Sequence, residues 1–153
     1  MSVKQVIVLR TRYPDGRGGQ MGTRLGKSGA QIAHASMKVF FDRKEPDLAL
    51  HLRNRDGSHS LRKVLVIPLT DEMDEWVEGR FTKIVVGVET EEDLLQCHAL
   101  ALEAGLPTAL IQDLGATEFH GVPTYTTCAI GPAESEEIDK ITGPGGAVKV
   151  KLL

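Results

Sequence analysis

Lys27, Gln31, His34 and Lys38 follow one another at spacings of four, three and four residues. At about 100° per residue, that spacing gathers all four within roughly 60° of one helix face. The residue types suit holding an anion and moving a proton. A lysine at a helix start can hold an anion, such as a nucleic-acid phosphate. A histidine carries the imidazole that most readily exchanges protons near neutral pH. Small residues, Gly29, Ala30, Ala33 and Ala35, surround the stripe and leave room for something bulky. The bland alternative is a solvated face. Against it, the stripe begins at a helix N-terminus, where the backbone is electropositive.

The loop before the stripe, Gly22-Thr23-Arg24-Leu25-Gly26-Lys27-Ser28, comes close to a nucleotide-binding loop. That loop needs two glycines with four residues between them, then Lys and Ser or Thr, because its backbone N–H groups must wrap a phosphate. Here three residues separate Gly22 and Gly26, and Met21 stands where the first glycine should be. Neither TKIVVGV (82–88) nor the run TTCAIGP supplies an aspartate for magnesium. The spacing excludes an NTPase and leaves a simpler anion site at the helix start.

The elements that must position these residues can be read from periodicity. VKQVIVL (3–9) predicts a buried first strand, and YPDGRGG (13–19) a loop. From about residue 28 to 43, Ile32, Ala35, Ser36, Val39 and Phe40 mark the buried stripe of a helix. Asn54-Arg55-Asp56-Gly57-Ser58 turns between two strand-like arms and predicts a hairpin within 47–70. Residues 71–78 predict a short acidic helix bearing Trp76. TKIVVGV predicts a strand. A helix capped by Thr90 follows, running to about Ala104, where Gly105 stops it. Strands are expected at 108–112 and 124–130, a short helix at 134–140, and an edge strand in AVKVKLL. Strands alternating with helices predict an α/β sandwich around one sheet, with residues 1–153 as a single domain.

Composition narrows the partners. The net charge of −3 conceals a split: residues 1–83 hold 15 Lys/Arg and 10 Asp/Glu, the remainder 3 and 11. Only the first half suits a polyanion. Arg53, Arg55, Arg62 and Lys63 on the expected hairpin could touch an RNA backbone, or could simply be solvated. Without a signal peptide or an apolar run of bilayer length, a cytoplasmic protein with no membrane partner is expected. Cys97 and Cys128 are then free thiols, and Cys97-His98 is packing within a helix. His51, His59, His98 and His120 lack metal-ligand spacing and read as surface or loop residues.

The motif Gly26-Lys27, Gln31, His34-Ala35 resembles the signature of the archaeal/eukaryotic-type, class-two peptidyl-tRNA hydrolases. The resemblance continues in order through Trp76 and Gly79, Lys83-Ile84-Val85-Val86, Glu91 to Leu95, and Ala104 to Thr108. Asp113, Gly115 and Thr117 match the family's Asp-x-Gly-x-Thr turn. Thr126, Ala129 to Pro132, Ile138 to Lys140, Thr142-Gly143 and the closing Lys151-Leu152-Leu153 complete it. It covers most of the chain outside 42–75. The loop departs from the pattern. It is two residues longer, Gln20 stands for a usual lysine, and Arg12 for a usual aspartate.

The resemblance implies a three-layer α/β/α fold with a mixed four-stranded sheet whose last main strand is antiparallel, to which the hairpin at about 47–70 is added. It implies a homodimer and a cofactor-free hydrolase that cleaves peptidyl-tRNA at the ester on the 3′ ribose. It implies catalytic roles for Lys27, Gln31, His34, Asp113 and Thr117, with either His34 or Asp113 as base. It implies tRNA contacts at Arg12, Gln20, Arg24, Lys27 and Lys38. No metal is expected. Two alternatives stay open at the level of sequence: a non-catalytic anion-, RNA- or protein-binding module on the same fold, and a hydrolase of another acyl ester.

Overall fold

The computed structural model describes residues 2–116 and 118–153. The chain runs β1 (Val3–Arg10), β2 (Tyr13–Pro14), β3 (Gln20–Met21), α1 (Leu25–Phe41), β4 (Leu48–Arg53), β5 (His59–Val64) and α2 (Asp71–Glu78). It continues as β6 (Lys83–Val88), α3 (Glu91–Glu103), β7 (Thr108–Asp113), β8 (Thr124–Glu134), α4 (Ser135–Thr142) and β9 (Lys151–Leu152). One sheet has the order β7-β8-β1-β6-β9. β1 is parallel to β6 and antiparallel to β8, and β8 is antiparallel to β7. The strands β1, β6 and β7 therefore all end on one side of the molecule, and α1 begins there.

Successive side chains of β1 point to opposite faces of the sheet. Val6 and Val8 join Leu94, Cys97, Ile138 and Ile141 from α3 and α4. Ile7 joins Ala35, Val39 and Met73 from α1 and α2. Helices thus cover both faces, giving three layers. Leu94 is fully buried, and its truncation to alanine costs roughly 2–5 kcal/mol.

Several boundaries move. α1 starts at Leu25, three residues before the periodicity suggests, because Gly26 and Gly29 are accommodated inside the helix. The expected 13–19 loop contains a short ribbon, Tyr13 pairing with Met21 and Pro14 with Gln20. β8 runs on to Glu134. The edge strand expected in AVKVKLL is β9, which pairs with β6 as the fifth strand beside the four main ones, where Leu153 covers Gly87, a residue with no side chain to obstruct it. The hairpin falls where expected, as β4 and β5. Thr70 and Thr90 cap α2 and α3, accepting from the N–H groups of Met73 and Asp93.

Candidate active site

The site lies where the carboxyl ends of β1 and β7 meet the start of α1, the usual crevice position in open α/β sheets. β7 delivers Asp113 as its last residue, and the first turn of α1 delivers Lys27. Lys27 Nζ donates to Asp113 Oδ2 at 2.6 Å. One turn further on, Gln31 Nε2 donates to the same oxygen at 2.9 Å. The N–H of Gly115 donates to Asp113 Oδ1 at 2.7 Å.

Gln31 is fixed at its other end. Thr126, on β8, donates through Oγ1 to Gln31 Oε1 at 2.6 Å, and Thr127 Oγ1 donates to the Gln31 carbonyl at 3.1 Å. Gln31 is 3% exposed and Thr126 1%. A buried hydroxyl and a buried amide form a chain, Thr126–Gln31–Asp113–Lys27, in which each described polar side-chain atom is satisfied.

Burial opposes the charge on Asp113. Hydrogen bonds from Lys27, the Gly115 N–H and Gln31, with the Lys27 charge, outweigh it and hold the carboxyl below its ordinary range. Asp113 is therefore a firm carboxylate and a weak base. It anchors Lys27.

The start of α1 differs from those of the other helices. α2, α3 and α4 each carry acids in the first turn; α1 carries none, and no side chain caps it. Its N-cap, Arg24, is pulled sideways, with Nε 2.6 Å from Glu118 Oε1. Open space surrounds Gly26 and Gly29. An anion approaching this end meets the helix dipole and a lysine, without a local acid on the helix to repel it.

Beside the ion pair lies a cleft of about 440 Å³ lined by Arg10, Tyr13, Met21, Phe119, His120 and Thr124, among others. Lys27 Nζ is 5.7 Å from the centre of the Phe119 ring, which tilts against Tyr13 at 4.7 Å. The Arg10 guanidinium sits 4.6 Å from the centre of the Tyr13 ring. Burial pushes the Tyr13 phenol up to about 12; Arg10 lowers it, and Asp113 and Glu118 add to the rise. Tyr13 thus stays a neutral donor, with its hydroxyl 3.0 Å from the Arg10 carbonyl.

The structure divides the stripe of α1. Lys27 and Gln31 turn inward onto Asp113. His34 is exposed and Lys38 half-exposed, on a groove with Leu110, Ile111 and Gln112, and Lys38 pairs with Asp42 at 2.7 Å. All four share one helix face, but β7 is the edge strand. Beyond its end, Glu118 and Phe119 approach the start of α1; alongside it, the face opens to solvent. Of the other expected RNA contacts, Arg12 and Gln20 are exposed around the small ribbon, and Arg24 stands at the rim. Thr117 lies outside the described residues.

Sequence reasoning did not place Tyr13, Phe119, Glu118 or Thr126 in the site. Tyr13 and Phe119 come from loops without periodicity. Thr126 carried a signal only as one of the matched positions. Cys97 is packing, as expected: burial raises its thiol to about 12. His98 is half-buried rather than on the surface, because its ring reaches Thr108 Oγ1 at 3.1 Å. His51, His59 and His120 are exposed. Among the described residues, no helix is long and apolar enough to cross a membrane.

The family model described as Peptidyl-tRNA hydrolase PTH2 matches residues 3–144. A protein of Methanopyrus kandleri named peptidyl-tRNA hydrolase is 34% identical over 141 residues, 92% of this chain and 93% of its own length. One of the same name from Sulfurisphaera tokodaii is 37% identical over 144 residues, covering 94% and 96%. A third, from Methanocaldococcus jannaschii, is 31% identical over 141 residues, covering 92% and 96%. With a family match over nearly its whole length and relatives above 30% identity end to end, this chain belongs to the peptidyl-tRNA hydrolase PTH2 family.

Proposed function

We propose that this chain hydrolyses the ester joining a peptide, or an N-blocked amino acid, to the 3′ ribose of tRNA, returning the tRNA to use. One observation carries the reading: a buried chain of hydrogen bonds fixes Lys27 beside a helix start that has no acid of its own. The reaction adds water across the ester and yields a carboxylic acid and a free ribose hydroxyl. Lys27 holds a phosphate or stabilises the oxyanion that develops on the carbonyl. Asp113 keeps Lys27 aimed. Gln31 and Thr126 hold Asp113 in place, and the matched motif gives Thr117 a donor role.

His34 is the better candidate for the base. Asp113 is occupied by three donors and held ionised, so it is a poor proton acceptor. The imidazole of His34 is exposed one helical turn beyond Gln31, and it makes no hydrogen bond among the described residues. The aromatic cleft beside Lys27 suits the acyl group or the terminal nucleoside. Arg24 and Lys38, with Arg12 and Gln20 at the ribbon, line the approach of the RNA.

Residues 1–153 act as one domain in this reading, working where translation runs, in the cytoplasm. The apolar groove where Met37, Phe41, Val77 and Phe81 stand exposed supports a homodimer. Incubation with an N-blocked aminoacyl-tRNA tests the function: release of the blocked amino acid with intact tRNA is the expected result. A folded protein that binds tRNA without turnover would instead be a binding module.

A further inference from the structure

The ribbon β4–β5 pairs with no other described strand. Its register sorts the side chains by face. Leu48 pairs with Val64, Leu50 with Arg62 and Leu52 with Ser60 on one side. Ala49 pairs with Lys63, His51 with Leu61 and Arg53 with His59 on the other. The first side is largely apolar. The second carries Arg53, Lys63 and two imidazoles, with Arg55 in the turn beyond, and all five are exposed. Arg62 does not belong with them: it lies on the apolar side and donates to the Arg53 carbonyl at 3.3 Å.

A lone two-stranded ribbon is marginal in water, yet this one is tied at both ends. At the base, the Glu45 N–H donates to the Val66 carbonyl at 2.8 Å and Arg43 Nε to the Pro68 carbonyl at 3.0 Å. At the tip, Asp56 Oδ1 accepts from the N–H and hydroxyl of Ser58 at 2.9 and 2.6 Å. Lys63 has Asp47 at 3.4 Å, but both side chains are more than three-quarters exposed, and such a pair is weak. Residues 48–64 hold four Lys/Arg and one Asp in a chain of net charge −3. A cationic face on an anionic protein selects a polyanion.

The hydrolase reading names the polyanion. Lys27 and the end of α1 are 14 residues apart, roughly 21 Å at 1.5 Å per residue. A ligand that runs the length of α1 from Lys27 must be at least that long, as a tRNA stem is. We infer that the face formed by His51, Arg53, Arg55, His59 and Lys63 is a second RNA contact, binding the phosphate backbone of the tRNA stem whose 3′ end lies at Lys27. This rests on the hydrolase reading for the identity of the RNA. The contact itself is read through charge and is independent of sequence.

The test is the affinity for deacylated tRNA against salt concentration, for the wild type and for the triple variant Arg53→Ser, Arg55→Ser, Lys63→Ser. The variant should bind about tenfold more weakly near 0.1 M salt, with a salt slope shallower by about two to three. Lysine at positions 53 and 55 should restore both. With N-blocked aminoacyl-tRNA, the loss should fall on KM rather than kcat. Unchanged affinity and slope in the folded triple variant would overturn the inference. So would unchanged tRNA binding with altered self-association in sedimentation, which would assign the ribbon to a second copy. A wild type that loses tRNA binding with the triple substitution but never hydrolyses the ester would overturn the hydrolase reading and leave the RNA contact standing.

Discussion

Lys27 Nζ and Asp113 Oδ2 stand 2.6 Å apart, and each side chain is 14% exposed. One residue opens α1 and the other closes β7, 86 positions later. The pair joins the start of the first main helix to an edge strand. Its partners are as specific as the pair itself, which makes several outcomes predictable.

Asp113 should make the protein acid-sensitive in a particular direction. Its carboxyl in the folded state titrates below the ordinary 3.8. The ionised pair therefore stabilises the fold above the unfolded value, and that contribution fades as pH falls through the lower, folded one. Urea unfolding of the wild type and Asp113→Asn should differ by a constant amount from pH 7 down to about 4. The difference should shrink below that. A difference that stays constant to about pH 2 would contradict this account of Asp113.

Thr126→Val keeps the shape of the β8 core and removes the donor to Gln31 Oε1. An unpaired buried acceptor costs roughly 1–3 kcal/mol. Gln31 then loses the bond that fixes its amide toward Asp113. We expect a lower Tm and a kcat reduced by about tenfold, with KM little altered. Thr126→Ser, which retains the hydroxyl, should recover most of kcat. A drop in Tm without any change in kcat would mean that Thr126 serves only the core.

Gly115 has φ of +82°, a conformation that L side chains adopt poorly. A Cβ there would also meet the Val122 carbonyl oxygen at 2.4 Å. Gly115→Ala must shift the 114–122 loop and pull its N–H off Asp113. Activity should fall by at least tenfold in a protein that still folds. Full activity would show that the N–H does not help to place the carboxylate.

His34→Ala separates the two proposed halves of the stripe. As the base, His34 should cost kcat about ten- to a hundredfold and leave tRNA affinity near that of the wild type. A loss of tRNA affinity with kcat preserved would make it a binding residue instead.

Much of this arrangement was legible in the sequence because its signals are local. The Lys27–Gln31 spacing is a helix property. Thr70 and Thr90 announce helix starts, and Asn54 to Ser58 announces a turn. Asp113 was legible as a site residue from the matched turn, but its pairing with Lys27 was not, because β7 and α1 meet only in the fold. What could not be read depends on which strand lies at an edge. That property separates buried Gln31 from exposed His34 on one face. Tyr13 reaches the site from a two-residue ribbon strand, and Phe119 and Glu118 from an irregular segment, where neither period nor propensity points anywhere. The sorting of Arg62 away from Arg53 and Lys63 needed the register of the ribbon.

The central claim is that Lys27 and Asp113 work as one unit in ester hydrolysis. Release of blocked amino acid from an N-blocked aminoacyl-tRNA should be measured for the wild type, Lys27→Ala, Asp113→Asn and the double variant, each shown to be folded. The account predicts turnover by the wild type and a loss of about two decades or more in each single variant. The double variant should be little worse than either, because residues acting as a unit are not additive. Single variants within threefold of the wild type, or a folded wild type without turnover, would contradict it.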